Sequence, residues 1–149
     1  MELHDPAATE ELGRDLAAAL PDDPSGWMIL LQGELGAGKT TLARAMLRAL
    51  GHEGKVPSPT YTLVEPYQLA DKIIYHVDLY RIGDASELEF LGWSDLRDGL
   101  LLIEWPERVA ALAGQADMLI HLSYRGGGRI AEVAGISGRG VKIAKAVLL

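Results

Sequence analysis

The chain of 149 residues has no cysteine. That excludes structural disulfides, zinc–thiolate centres and thiol catalysis. It has no asparagine either, so an Asn-Lys-x-Asp segment of the kind that reads guanine cannot be present. No run approaches the length of apolar sequence that crosses a membrane, and the N-terminus lacks a basic stretch followed by an apolar one. The expectation is a soluble cytoplasmic protein with no membrane partner. Basic residues are scarce: 14 Lys and Arg stand against 21 Asp and Glu, for a net charge of −7. Phosphate neutralisation drives bulk nucleic-acid affinity, so a chain this acidic is poorly suited to it. The deficit is uneven. From His121 onward, Arg125, Arg129, Arg139, Lys142 and Lys145 face Glu132 alone. That basic end is either a solvated surface or one that meets a phosphate or a partner.

What the chain has is a core and a loop. Hydrophobic residues make up 48% and charged residues 23%, a globular composition, and the length suits one domain over residues 1–149. Gly33-Glu34-Leu35-Gly36-Ala37-Gly38-Lys39-Thr40 fits G-x-x-x-x-G-K-[ST], the phosphate-cradling loop of P-loop NTPases. The apolar run Trp27–Leu31 before it reads as a buried parallel strand. Thr41–Leu50 after it reads as a helix, with Leu42, Met46 and Leu50 on one face and Gly51 placed to end it. The glycines let backbone N–H groups turn toward a polyphosphate, and the helix N-terminus adds partial positive charge. Lys39 is expected to reach the β/γ-phosphates and the Thr40 hydroxyl to ligate Mg²⁺. With guanine reading excluded, ATP or ADP is the expected nucleotide.

The remaining elements follow in order. Asp5-Pro6 caps a helix that runs to about Leu20. Val56-Pro57-Ser58-Pro59-Thr60 is rigid and extended, because each proline restrains its neighbour. Tyr61–Leu69 and Ile73–Leu79 read as strands of an antiparallel hairpin inserted between the P-loop helix and the rest of a parallel sheet. Asp84 caps a short helix, Trp93–Asp98 forms a helical turn, and Leu100–Ile103 is a buried strand ending in Glu104. Pro106–Ala113 reads as helical. Met118–Leu122 and Ile130–Val133 read as strands around a flexible turn at Arg125-Gly126-Gly127-Gly128, and Val141–Leu149 as a closing helix. The expected class is α/β: a P-loop NTPase-like three-layer fold, its sheet mostly parallel.

A P-loop needs a second acidic site for Mg²⁺ on a neighbouring strand. Glu104 and Asp78 both end apolar runs. Glu104 is favoured for the metal, with Asp78 as a second acid near the γ-phosphate. Either is alternatively an ordinary strand-end carboxylate.

Four ordered segments then resemble one family. Gly33–Thr41, Val56–Val64, His76-Val77-Asp78-Leu79-Tyr80-Arg81 and Ile103-Glu104-Trp105-Pro106-Glu107 are similar to the motifs of the TsaE (formerly YjeE) family, bacterial ATPases required for threonylcarbamoyladenosine formation in tRNA. Thr9 with Leu12-Gly13 matches the family's opening residues, and the resemblance extends to Arg129. It implies phosphate binding by Gly36, Ala37, Gly38, Lys39, Thr40 and Thr41, with Thr40 and Glu104 at Mg²⁺. It places Thr9 near the base and Arg129 near the nucleotide. Thr60 becomes a switch residue sensing the γ-phosphate, or else a turn threonine. Trp105 is an aromatic wall or, favoured by its size, core packing. His76 is a core histidine or a polar switch element. The catalytic set implied is Lys39, Asp78, Glu104 and Thr60. The resemblance further implies an ATPase acting on the proteins TsaB and TsaD, which bind the tRNA, and not on the tRNA directly. Two other readings stand beside it: a small-molecule kinase of the P-loop class, and a nucleotide-binding module without turnover. Against the kinase, the Asp84–Glu104 segment carries only Arg97 where a lid would bear several arginines.

Overall fold

The computed structural model describes residues 1–60 and 62–148. Its elements are β1 (Glu2–Leu3), α1 (Pro6–Ala19), β2 (Met28–Gly33), α2 (Lys39–Ala49), β3 (Val64–Gln68), β4 (Ile73–Asp78), α3 (Glu87–Phe90), β5 (Leu100–Glu104), β6 (Met118–Arg125), β7 (Gly128–Gly135) and α4 (Gly138–Leu148), with 3₁₀ turns at Trp93–Asp98, Pro106–Arg108 and Ala110–Gly114. All seven strands join one sheet in the order β1-β7-β6-β2-β5-β4-β3. The four central strands, β6, β2, β5 and β4, are mutually parallel. Antiparallel pairs flank them: β3 on β4 at one edge, β7 on β6 and β1 on β7 at the other.

The sheet divides the core in two because side chains alternate along each strand. Ile29 and Leu31 of β2, with Leu100 and Leu102 of β5, pack under α1, α2 and α4. Met28, Leu30, Leu101 and Ile103 face the other way, toward Val109, Leu112, Leu96 and Leu88. Burial on both faces explains why β2 and β5 are unbroken apolar runs. The chain moves from β2 to β4 and β5 on one side and to β6 on the other. The end of β2 is therefore a switch point, where α/β sheets bind ligands. The P-loop leaves from that end.

Helix ends follow their local chemistry. The Asp5 carboxylate accepts the Ala8 N–H at 2.9 Å, and Pro6 opens α1. α2 begins at Lys39, two residues before the expected Thr41, because Gly38 is its N-cap. α1 and α2 meet at Gly13, where a Cβ would stand 2.6 Å from Ala45 Cβ and 3.1 Å from the Leu42 carbonyl oxygen. Among the described residues no helix is long and apolar enough to cross a membrane.

Several expectations change. The expected β3–β4 hairpin is antiparallel, but β4 also pairs in parallel with β5, so of the hairpin's two strands only β3 lies outside the parallel set. The expected strand start at Tyr61 lies outside the described residues; β3 begins at Val64, after Leu63 in a left-handed conformation. Pro106–Ala113 is not one helix. Val109 is extended and buried, and it splits the segment into two 3₁₀ turns. The helix expected from Asp84 begins only at Glu87, since Asp84 closes a turn by accepting the Ser86 N–H at 2.9 Å. The Arg125–Gly128 stretch is a tight hairpin turn: Arg125 pairs with Gly128, and β6 and β7 run longer than expected. α4 starts at Gly138, three residues before Val141, and its expected end at Leu149 lies outside the described residues. In the basic end, Arg139 is structural: it pairs with Asp117 at 2.8 Å and lies over the Trp27 ring. β1 had no sequence signal of its own.

Gly13→Val would force a branched side chain into backbone at this helix contact. The expected loss is about 2 kcal/mol, in the usual range for overpacking. Urea unfolding checks it: the midpoint falls with an unchanged slope.

Candidate functional site

Parallel register sets the chemistry. Asp78 and Glu104 end adjacent strands and are direct neighbours, and Leu31 near the end of β2 pairs with Glu104. Both acids are thereby brought beside the P-loop, and each is at least nine-tenths buried. Lys39, Thr40, Ser58, Thr60, Asp78, Glu104 and Trp105 line one cavity of about 190 Å³. The Thr40 hydroxyl donates to Glu104 at 3.0 Å. Thr60 Oγ1 lies 2.7 Å from Ser58 Oγ and donates to Asp78 at 3.4 Å, while the Tyr80 N–H donates to the other Asp78 oxygen at 2.9 Å.

The Lys39 ammonium donates to the carbonyls of Gly33 and Glu34. It sits 4.1 Å from the centroid of the Trp105 ring. Burial lowers its pKa, against the opposing pull of Glu104, Glu107, Asp78 and Glu34. Trp105 adopts φ 58°, a left-handed conformation rare for a bulky residue. Its indole packs on the second core and also lies against Lys39. Tyr80 rests on it at 4.8 Å.

His76 is fully buried, and its Nε2 lies 2.5 Å from Glu104 Oε2. Its Nδ1 has no partner among the described residues. His76 is therefore in contact with the acid proposed from sequence for the metal, which no spacing in the sequence revealed.

A second cavity of about 200 Å³ opens on the other side of the loop, lined by Asp5, Thr9, Gly36, Ala37, Gly38, Thr41 and Arg129 among others. The β6–β7 hairpin delivers Arg129: its guanidinium donates to the Gly36 carbonyl at 3.1 Å and stacks over Tyr124 at 4.2 Å. The Tyr124 hydroxyl donates to the Leu35 carbonyl at 2.6 Å. Gly38, at φ 108°, holds a backbone turn that a side chain would strain. Every residue proposed from sequence except His76, which is buried behind Glu104, thus borders one of two cavities sharing the P-loop. Sequence reasoning missed Tyr124, Ser58 and Tyr80. Only the Tyr124–Arg129 strand pairing explains Tyr124, and that pairing depends on the unforeseen length of the hairpin.

Among the described residues no group of three or more His, Cys, Asp or Glu side chains forms a metal cage. The oxygen pair of Thr40 and Glu104 suits a hard cation that takes its other ligands from water and phosphate.

Asp78 is held above the usual carboxylate range, chiefly by burial and also by the Glu104 charge, despite the Tyr80 and Thr60 hydrogen bonds. A raised folded-state pKa means that ionisation opposes folding: the benefit is full below the unfolded value and lost as pH rises through the folded one. Asp78→Asn is therefore expected to raise thermal stability at neutral pH, with the gain shrinking on acidification. Calorimetric melts of both proteins across the acid range check it; a gain independent of pH would contradict this account.

A family profile described as "Threonylcarbamoyl adenosine biosynthesis protein TsaE" matches residues 3–130. A protein of Haemophilus influenzae named tRNA threonylcarbamoyladenosine biosynthesis protein TsaE is 48% identical over 121 residues, which is 80% of this chain and 77% of that one. A Synechocystis protein of the same name is 43% identical over 119 residues, 76% of this chain and 73% of its own. The crystal structure of Bacillus subtilis YdiB shares the fold, with a TM-score of 0.77 at 23% identity, over 99% of this chain and 92% of that one. With the profile spanning most of the sequence and a relative 48% identical over 80% of it, the chain belongs to the TsaE family of threonylcarbamoyladenosine biosynthesis proteins.

Proposed function

We propose that this protein is a Mg²⁺-dependent ATPase of tRNA threonylcarbamoyladenosine formation. It binds ATP and ADP, hydrolyses ATP slowly alone and faster with partners, and acts in the cytoplasm on TsaB and TsaD without transferring the group itself. tRNA is met through those partners, in keeping with the net charge of −7. The observation that carries the reading is the Thr40–Glu104 hydroxyl–carboxylate pair at the mouth of the P-loop, with Lys39 and Asp78 in the same cavity.

Each residue has a physical role in this reading. Thr40 and Glu104 would hold Mg²⁺, which when bound offsets charge on the phosphate oxygens. His76 fixes the orientation of Glu104 from behind. Lys39 exchanges its loop carbonyls for phosphate oxygens, and the Trp105 ring keeps water from its ammonium. Asp78 is a buried carboxylate whose raised pKa suits it to orient or accept a proton from an attacking water. Thr41, Gly36, Ala37 and Gly38 offer backbone and hydroxyl donors, and Thr9 and Arg129 flank the second cavity, where the nucleoside would lie. The kinase alternative fits less well. Arg97, the only arginine of the Asp84–Glu104 segment, bonds Gln115 near the amino ends of β2 and β5, at the far end of the sheet from the P-loop.

Synthesis of threonylcarbamoyladenosine from purified TsaB and TsaD, with and without this protein, tests the whole reading. Product independent of its addition would overturn it, and stoichiometric phosphorylation of a metabolite would favour the kinase. Lys39→Ala is expected to remove productive ATP binding, since charge-assisted contacts contribute about 1.5–3 kcal/mol each. Unchanged ATP affinity by calorimetry in a folded variant would refute the P-loop assignment.

Thr60→Ala separates switching from binding. Thr60 already touches Asp78 and Ser58, and a hydroxyl poised there can favour one nucleotide state. ADP affinity is expected to stay near wild type, while partner-stimulated turnover falls by a larger factor than ATP affinity does. Equal losses for ADP and ATP would make Thr60 a general binding residue.

A further inference from the structure

Beyond the nucleotide cleft, α1 and α2 enclose a surface groove of about 370 Å³. Arg14 of α1 and Arg44 and Arg48 of α2 line it, and Ala45 and Ala49 form a low apolar floor between them. Among the described residues none of these three guanidiniums makes a hydrogen bond or an ion pair. Arg44 and Arg48 lie one helical turn apart, a spacing at which like charges repel. Glu10 is the single acid in the lining. In a chain with seven more acids than basic residues, such a concentration of unpaired cations is held at a cost that an anion would relieve. The planar guanidinium matches a carboxylate or phosphate with two parallel hydrogen bonds.

We propose that this groove docks an acidic segment of a protein partner. Carboxylates of that segment meet Arg14, Arg44 and Arg48, and a small apolar side chain rests on Ala45 and Ala49. The charge pattern favours a protein segment over RNA. Glu10, Glu11 and Asp15 are exposed along α1, so a continuous phosphate chain leaving the groove runs onto carboxylates, whereas a peptide can present a neutral or basic residue there. Thr41 lines the groove and both cavities of the nucleotide cleft. An occupant therefore abuts the first turn of the helix that follows the P-loop. The proposal does not depend on the ATPase reading.

Fluorescence anisotropy of a short labelled polyglutamate peptide with the full chain at low salt is the test. Saturable binding is expected, weakened roughly tenfold or more by Arg44→Glu with Arg48→Glu, as for close charge pairs at interfaces. The milder pair Arg44→Gln with Arg48→Gln gives an intermediate loss, which guards against misfolding of the reversed variant. Lys142→Glu with Lys145→Glu on α4 is expected to change nothing. No saturable binding, or an equal loss in the α4 variant, would overturn the groove. A labelled single-stranded RNA that binds more tightly than the peptide and depends on the same arginines would overturn the choice of occupant. ADP affinity, measured in parallel, is expected to be equal in all variants, and a loss confined to the arginine variants would overturn the groove as a separate docking site. Absence of ADP binding by the wild type would overturn the ATPase reading and leave the peptide result standing.

Discussion

Two carboxylates, a lysine and a histidine share the buried ends of three parallel strands, and much of the site follows from how that charge is accommodated. Glu104 accepts from Thr40 and meets His76, so neither of its oxygens is left bare. Asp78 takes a backbone N–H and the Thr60 hydroxyl. Lys39 is satisfied by carbonyls of its own loop and covered by an indole. Ions withdrawn from water cost far more than they return unless each is hydrogen-bonded. The opposite pKa movements of Asp78 and Lys39, one acid pushed up and one base pushed down, both trace first to burial. The ionisable residues at this strand end are kept buried at the expense of the fold.

The scaffold that permits this is ordinary. β2 and β5 are apolar on both sides, and their alternating residues anchor two separate cores. Gly13 lets α1 settle on α2. The Asp117 carboxylate accepts the Met28 N–H and pairs with Arg139, tying the first residue of β2 to the last helix. With the amino ends of the strands fixed there, the carboxyl ends carry the polar residues.

The central strands and the P-loop were legible in the sequence because their signals are local: continuous apolar runs, glycines at fixed offsets, and a carboxylate at a strand end. Asp5-Pro6 and Gly51 gave helix ends for the same reason. What stayed illegible depends on contacts distant in sequence. Nothing near His76 indicates that its ring faces Glu104, since the pairing of β4 with β5 decides it. Tyr124 beneath Arg129 follows from the β6–β7 register, and the split of Pro106–Ala113 follows from Val109 seeking the core. β1 is too short to carry a pattern and exists only because β7 offers it an edge.

That edge has a consequence for how the molecule comes into being. The Met1 amino group donates to the Ala131 carbonyl, and Leu3 pairs with Arg129. The cavity beside Thr9 is thus walled by β1 and by the β6–β7 hairpin, which lie far apart in sequence. Contacts of such long sequence separation are slow to form and come late. During synthesis the first strand leaves the ribosome with no partner and waits until β7 has been made. The P-loop and the strands up to β5 can assemble before then, but the cavity beside Thr9 cannot. Nascent chains lacking β7 are therefore expected to possess the P-loop without Arg129 beside it.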